Sequence, residues 1–121
     1  MVERVTAWRV VAHPASIDEL GGLVLRLAPD DALVLSGTEL VVGDPDAIVE
    51  LDTGWVSLGM AEERVLELVA VSASWQAPNE RPAFAQGMLA GLPAKVYLDG
   101  SDSLIMVPAP FGHELEERLG L

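Results

Sequence analysis

The chain has 121 residues, 19 acidic against 7 basic side chains, a net charge of −12 and no cysteine. That charge repels nucleic-acid phosphates and anionic lipid, and Lys95 with six scattered arginines makes no basic stripe that could follow a phosphate backbone. Disulfides and thiolate-held metals are excluded, no nucleic-acid or membrane partner is expected, and half the residues are hydrophobic, enough for a real core in one domain, 1–121.

No run approaches the roughly 20 apolar residues that a membrane span needs, and the opening MVERVTAWRV has charges early, so a cytoplasmic location is expected. A high apolar content in so acidic a chain implies either a generous core or apolar surface covered by a partner.

In chain order, Arg4 to Ala12 alternates as a strand with Trp8 on the more apolar face. His13-Pro14 ends it. Ser16 and Glu19 have capping-box spacing, but Gly21 and Gly22 follow too soon for more than one helical turn, so a turn is predicted. Leu23 to Ala28 and Ala32 to Ser36 flank Pro29-Asp30-Asp31, which predicts a hairpin, since proline presets φ and aspartate bonds its own backbone. Glu39 to Val42 suits a brief edge strand. Gly43 to Asp46 is the clearest loop and marks a soft subdivision. Ala47 to Leu51 and Trp55 to Leu58 read either as a tight hairpin or as one strand interrupted by a bulge at Asp52-Thr53-Gly54.

From Ala61 to about Ala73 the apolar residues Ala61, Val65, Leu66, Leu68, Val69 and Ala73 keep helical spacing, and Glu62 and Glu63 suit the positive end of a helix dipole. A polar connection from Ser74 to Pro82 carries Trp75. Two apolar runs follow, Met88 to Leu98 and Leu104 to Val107, joined by Asp99-Gly100-Ser101-Asp102, and then Phe111 to Leu119 with helical spacing. Asp-Gly between such runs predicts a hairpin, and Pro108 and Pro110 separate it from the closing helix. The fold class predicted is α+β: a ferredoxin-like, mostly antiparallel sheet with helices on one face.

Three segments, Leu25 to Gly37, Ala47 to Ala70 and Phe84 to Leu119, resemble in that order the γ subunit of heterotetrameric sarcosine oxidase. More distantly they resemble the folate-binding fold of the glycine-cleavage aminomethyltransferase. Leu58-Gly59-Met60-Ala61-Glu62 stands where that family's strand enters a helix through Ser, Gly and Pro. Ala90-Gly91-Leu92-Pro93-Ala94 matches a small-Gly-hydrophobic-Pro-Ala pattern, and Val107-Pro108 precedes the closing helix as the family's Val-Pro does. The resemblance implies a non-catalytic accessory or assembly subunit of a flavin-dependent, tetrahydrofolate-linked amine oxidase. FAD, FMN and NAD would then be held by larger partner subunits, and this chain would bind no cofactor itself.

The residues themselves give no catalytic candidates. His13 and His113 are the sole imidazoles and lack metal-ligand spacing, no serine lies in GxSxG, and Gly87 and Gly91 lack the lysine and hydroxyl of a phosphate loop. The acidic run from Asp44 to Asp52 lacks EF-hand spacing. No metal site is expected. Trp75, Phe84, Met88 and Phe111, in or beside connecting segments, are the candidates for a partner interface, with His113 on the last helix, because aromatics and methionine concentrate at interface centres. For a stand-alone module binding a folate-like ligand, Arg81 and Lys95 are the candidate anion partners.

Overall fold

The computed structural model describes residues 2–121. The fold is α+β, with two antiparallel sheets and three short α-helices among the described residues. The chain divides into two compact units, one made of Val5–Thr53 and the other of the residues up to Arg4 together with Gly54–Leu121.

The smaller unit is a four-stranded sheet built from β2 (Ala7–Val11), β3 (Leu23–Ala28), β4 (Asp31–Leu35) and β5 (Ile48–Asp52), in the order β3-β4-β2-β5. The two-residue strand β1 (Glu3–Arg4) belongs to the other sheet, so the alternating stretch from Arg4 to Ala12 is shared between two sheets. The hairpin of β3 and β4 turns at Pro29-Asp30 as predicted, with a register shift between Arg26 and Ala28. Trp8 lies on the core face with Val10, Ala32 and Val34, and α1 (Pro14–Asp18) closes over them with Ile17.

That one-turn helix starts before the capping-box spacing suggested. Its N-cap is His13, whose Nδ1 accepts from the Ala15 N–H at 3.2 Å, and Pro14 takes the first helical position, where its missing N–H costs nothing. The Asp44 carboxylate accepts the His13 and Asp46 N–H groups, both at 2.9 Å, and these bonds hold its pKa below the usual carboxylate value. Glu39 to Val42 forms no strand. Leu40 and Val42 instead pack as loop residues against the core.

The larger unit is a five-stranded sheet in the order β1-β6-β9-β8-β7, with β6 (Trp55–Ala61), β7 (Ala83–Leu89), β8 (Leu92–Leu98) and β9 (Asp102–Pro108). β5 and β6 do not pair with each other. β5 lies on β2 and β6 lies between β1 and β9, so Asp52-Thr53-Gly54 is neither a hairpin tip nor a bulge.

Two helices, α2 (Glu62–Ser72) and α3 (Gly112–Leu119), cover the core of this unit. Val65, Leu68 and Val69 of α2, and Leu115 and Leu119 of α3, bury against Leu58, Leu89, Val96, Leu98 and Ile105. Each such side chain contributes about 1.5–3 kcal/mol when fully withdrawn from water. A short 3-10 turn, Ala109–Phe111, follows β9 and leads into α3. Gly120, at a φ of 72°, ends α3 in the left-handed region, and the Leu121 N–H reaches back to the Glu116 carbonyl at 2.9 Å.

The apolar run from Met88 to Leu98 is not one strand. It folds back at Ala90-Gly91, with φ of 51° and 78°, and Leu89 pairs with Leu92 across a two-residue turn. The Asp99 to Asp102 turn then joins β8 to β9, so the expected hairpin becomes a three-stranded meander.

Candidate functional site

Alternation along the meander decides what faces outward. The register pairs Phe84 with Tyr97, Gln86 with Lys95, and Met88 with Pro93, while Ala83, Leu89, Leu92, Ala94, Val96 and Leu98 turn into the core. The face away from α2 and α3 therefore carries Phe84, Gln86, Met88, Pro93, Lys95 and Tyr97. Trp55, from β6 two strands beyond β8, joins them.

Trp55, Met88, Pro93, Gln86 and Lys95 line a groove of about 210 Å³ with Gly87 and Ala94. The Lys95 Nζ lies 4.9 Å from the centre of the Trp55 ring and 6.0 Å from that of Phe84, and it donates to the Gln86 side-chain carbonyl at 2.5 Å. An ammonium between two aromatic faces is held by the ring quadrupoles. Met88 is 52% exposed at the rim. The groove is apolar with one cation and one amide, an arrangement suited to docking a surface or one end of a planar anion. It brings together no nucleophile with a base to activate it.

The sequence-derived candidates are dispersed. Phe84, Met88 and Lys95 share the groove face. Trp75 lies on the opposite side of β7, where its ring sits against Gly87 and its Nε1 donates to the Met88 carbonyl at 2.9 Å. Phe111 is half-buried against the core of the larger unit, and His113 is 98% exposed with its Nδ1 at 3.9 Å from Glu116.

Arg81 has its own partners. Its Nε pairs with Glu62 at 2.5 Å and its Nη1 donates to the Pro78 and Glu80 carbonyls. Arg81 is not among the residues that line the groove holding Lys95.

Sequence reasoning singles out neither Trp55 nor Gln86, and it gives Glu62 a helix-dipole role alone. Gln86 becomes legible once the turn is placed at Ala90-Gly91, because period-2 counting then sets it opposite Lys95. Trp55 has no such signal, since β9 separates its strand from β8. Glu62 lies in the first turn of α2, where a carboxylate complements the helix dipole. It also accepts from the Gly100 N–H at 3.1 Å, and so ties the start of α2 to the β8–β9 turn as well as to Arg81.

Among the described residues no three His, Asp or Glu side chains are grouped so as to hold a metal ion, and no helix is long and apolar enough to cross a membrane. The site and fold define an α+β protein with an apolar, single-cation groove on an antiparallel sheet. The chain matches no family model, no curated protein and no solved structure.

Proposed function

We propose that this chain is a non-catalytic accessory and assembly subunit of a multisubunit, flavin-dependent amine oxidase of the sarcosine type. The ordered resemblance of three segments to the γ subunit family supports the reading. The observation that carries it is the open apolar rim of Trp55, Met88 and Pro93 on the sheet face away from the helices.

Such a rim gains by being covered, at about 25 cal/mol per Å² of apolar surface removed from water. The larger subunits would hold FAD, FMN, NAD and tetrahydrofolate. This chain would act by shape and burial, its acidic exterior keeping the assembly soluble.

The test is co-purification from native cells with an affinity tag on the chain, followed by an absorbance scan. A flavin spectrum with larger subunits is expected, and Met88→Lys should deplete both. A colourless chain recovered without larger subunits overturns the reading.

A second reading, a stand-alone module for a folate-like ligand, is favoured by one observation, the Lys95 ammonium held over the Trp55 ring. The groove, at about 210 Å³, is smaller than the roughly 300–1,000 Å³ of typical small-molecule sites, which ranks this reading second. Titration with tetrahydrofolate, read by tryptophan fluorescence, checks it. Saturable quenching that Lys95→Met abolishes would promote it above the scaffold.

A further inference from the structure

The two sheets have four edges among the described strands, and three are blunted. β1 is only two residues long, β3 carries the register shift after Arg26, and β5 presents Glu50 and Asp52. These are the devices that keep an edge from pairing with another chain. β7 has none of them. It runs seven residues as AFAQGML, with no charge, no proline and an unbroken register against β8.

The direction of its backbone groups follows from the turn. Leu89 and Leu92 close a two-residue hairpin and so form a hydrogen-bonded pair, and pairs alternate from there. Phe84, Gln86 and Met88 therefore point their N–H and C=O groups away from β8. Two observations agree with this phase. Pro93, which has no N–H, stands opposite Met88, and the Met88 carbonyl is the one that the Trp75 indole reaches. Phe84 and Gln86 make no backbone bond outside the ladder among the described residues.

We propose that β7 pairs antiparallel with β7 of a second copy of this chain, about a two-fold axis through Gln86, joining two five-stranded sheets into one. The register is self-complementary. Gln86 faces its own copy, and Phe84 faces Met88 of the second copy on both sides of the axis. All three positions direct their backbone groups outward, so every bond of the new ladder is made between matched residues. On one face the Phe–Met pairs bury the half-exposed Phe84 ring and the exposed Met88 side chain, a contact that sulfur and ring both favour. On the other face Ala85 stands opposite Gly87, whose missing Cβ is the space the Trp75 indole takes in each copy. The Met88 carbonyl keeps its bond to Trp75 and has a second lone pair for the new ladder. The chain is strongly acidic, yet this edge brings no carboxylate of its own to the axis.

The proposal does not rest on the accessory-subunit reading. The two share Met88, however, so a larger subunit that covers the rim would displace the second copy. The purified full chain alone is therefore the sample for the test.

Light scattering over a dilution series should show the mass rising from 12.9 kDa to twice that value. Gln86→Lys, which sets two ammonium groups face to face beside Lys95, should weaken association about tenfold or more. Gln86→Pro, which removes the outward N–H, should abolish it. Ile48→Lys, on the exposed β5 edge, should leave the midpoint unmoved. Gln86→Cys in this cysteine-free chain should give a covalent dimer with a short bismaleimide. Circular dichroism checks that each variant is folded, and Gln86→Lys and Gln86→Cys serve if the proline variant is not. A chain that stays at 12.9 kDa throughout overturns the proposal. So does a dimer indifferent to Gln86→Lys, or one disrupted by Ile48→Lys.

Discussion

Glu62 sits where three segments meet, and its role shows how far a residue's type can be from its use. Its Oε1 accepts from Arg81 at 2.5 Å and from the Gly100 N–H at 3.1 Å, while its own N–H donates to the Ser101 carbonyl at 2.9 Å. Both side chains of the pair are mostly buried, at 25% and 17% exposure. Glu62→Ala should cost about 1–2 kcal/mol, because it removes the carboxylate that pairs with Arg81 and leaves the Arg81 Nε–H and the Gly100 N–H without that acceptor. Urea denaturation measures it, and a change within error would remove Glu62 as the link between α2 and the β8–β9 turn. Gly87 is needed for a different reason. A Cβ there would lie 2.5 Å from the Trp75 Nε1, so Gly87→Ala should push the indole off β7, break its bond to Met88 and cost about 1–3 kcal/mol. The same variant should shift the tryptophan emission. These two residues were not legible as special, since their neighbours come from distant parts of the chain. Lys95 was legible as a lone base, but its place over the Trp55 ring was not.

At the scale of elements, local chemistry was readable where it acts within a few residues. Pro29-Asp30 turned the β3–β4 hairpin, helical spacing gave α2 within a residue of its observed ends, and Pro108 and Pro110 separated β9 from α3. The β7–β8 hairpin is not legible in the sequence, because its turn is Ala-Gly and alanine is not a residue associated with left-handed backbone. Ala90 adopts φ 51° all the same, tied by its N–H to the Ser72 carbonyl at 2.8 Å and by its own carbonyl to Arg118 at 2.7 Å. Non-glycine residues pay for that conformation, asparagine least. Ala90→Asn creates the Asn-Gly pair that a turn with positive φ at both centres prefers, and should stabilise the chain by up to about 1 kcal/mol. A thermal or denaturant midpoint that falls instead would show that the turn is held by its tertiary bonds and gains nothing from local preference.

At the scale of the whole molecule, charge sets the response to pH. Val5–Thr53 carries nine carboxylates against two arginines, and one of those carboxylates, Asp31, accepts two hydrogen bonds from Arg9 at 2.5 Å. The Arg9 bond holds the Asp31 pKa below its ordinary value, and backbone N–H groups from His13 and Asp46 do the same for Asp44. In both cases the folded pKa is depressed. The stabilisation is therefore complete above the unfolded value of about 4 and is lost as pH falls through the folded pKa. Denaturation midpoints should be flat near neutrality and drop in acid. Asp31→Asn should lower the neutral plateau and flatten the acid limb, and an unchanged limb would assign it to other carboxylates.

The sequence by itself determined the α+β class, the acidic exterior, the absence of cysteine chemistry, and those turns and helices whose cause lies within a few residues. Only the tertiary structure decided that Trp8 to Val11 and Trp55 to Ala61 serve different sheets, that Lys95 meets Trp55, and that β7 is left as a long, uncharged edge. Backbone pairing joins residues 40 or more positions apart, as Trp8 with Leu51 and Trp55 with Pro108. No local propensity encodes such partners. They follow from which arrangement buries the most apolar surface while leaving the fewest backbone groups unbonded.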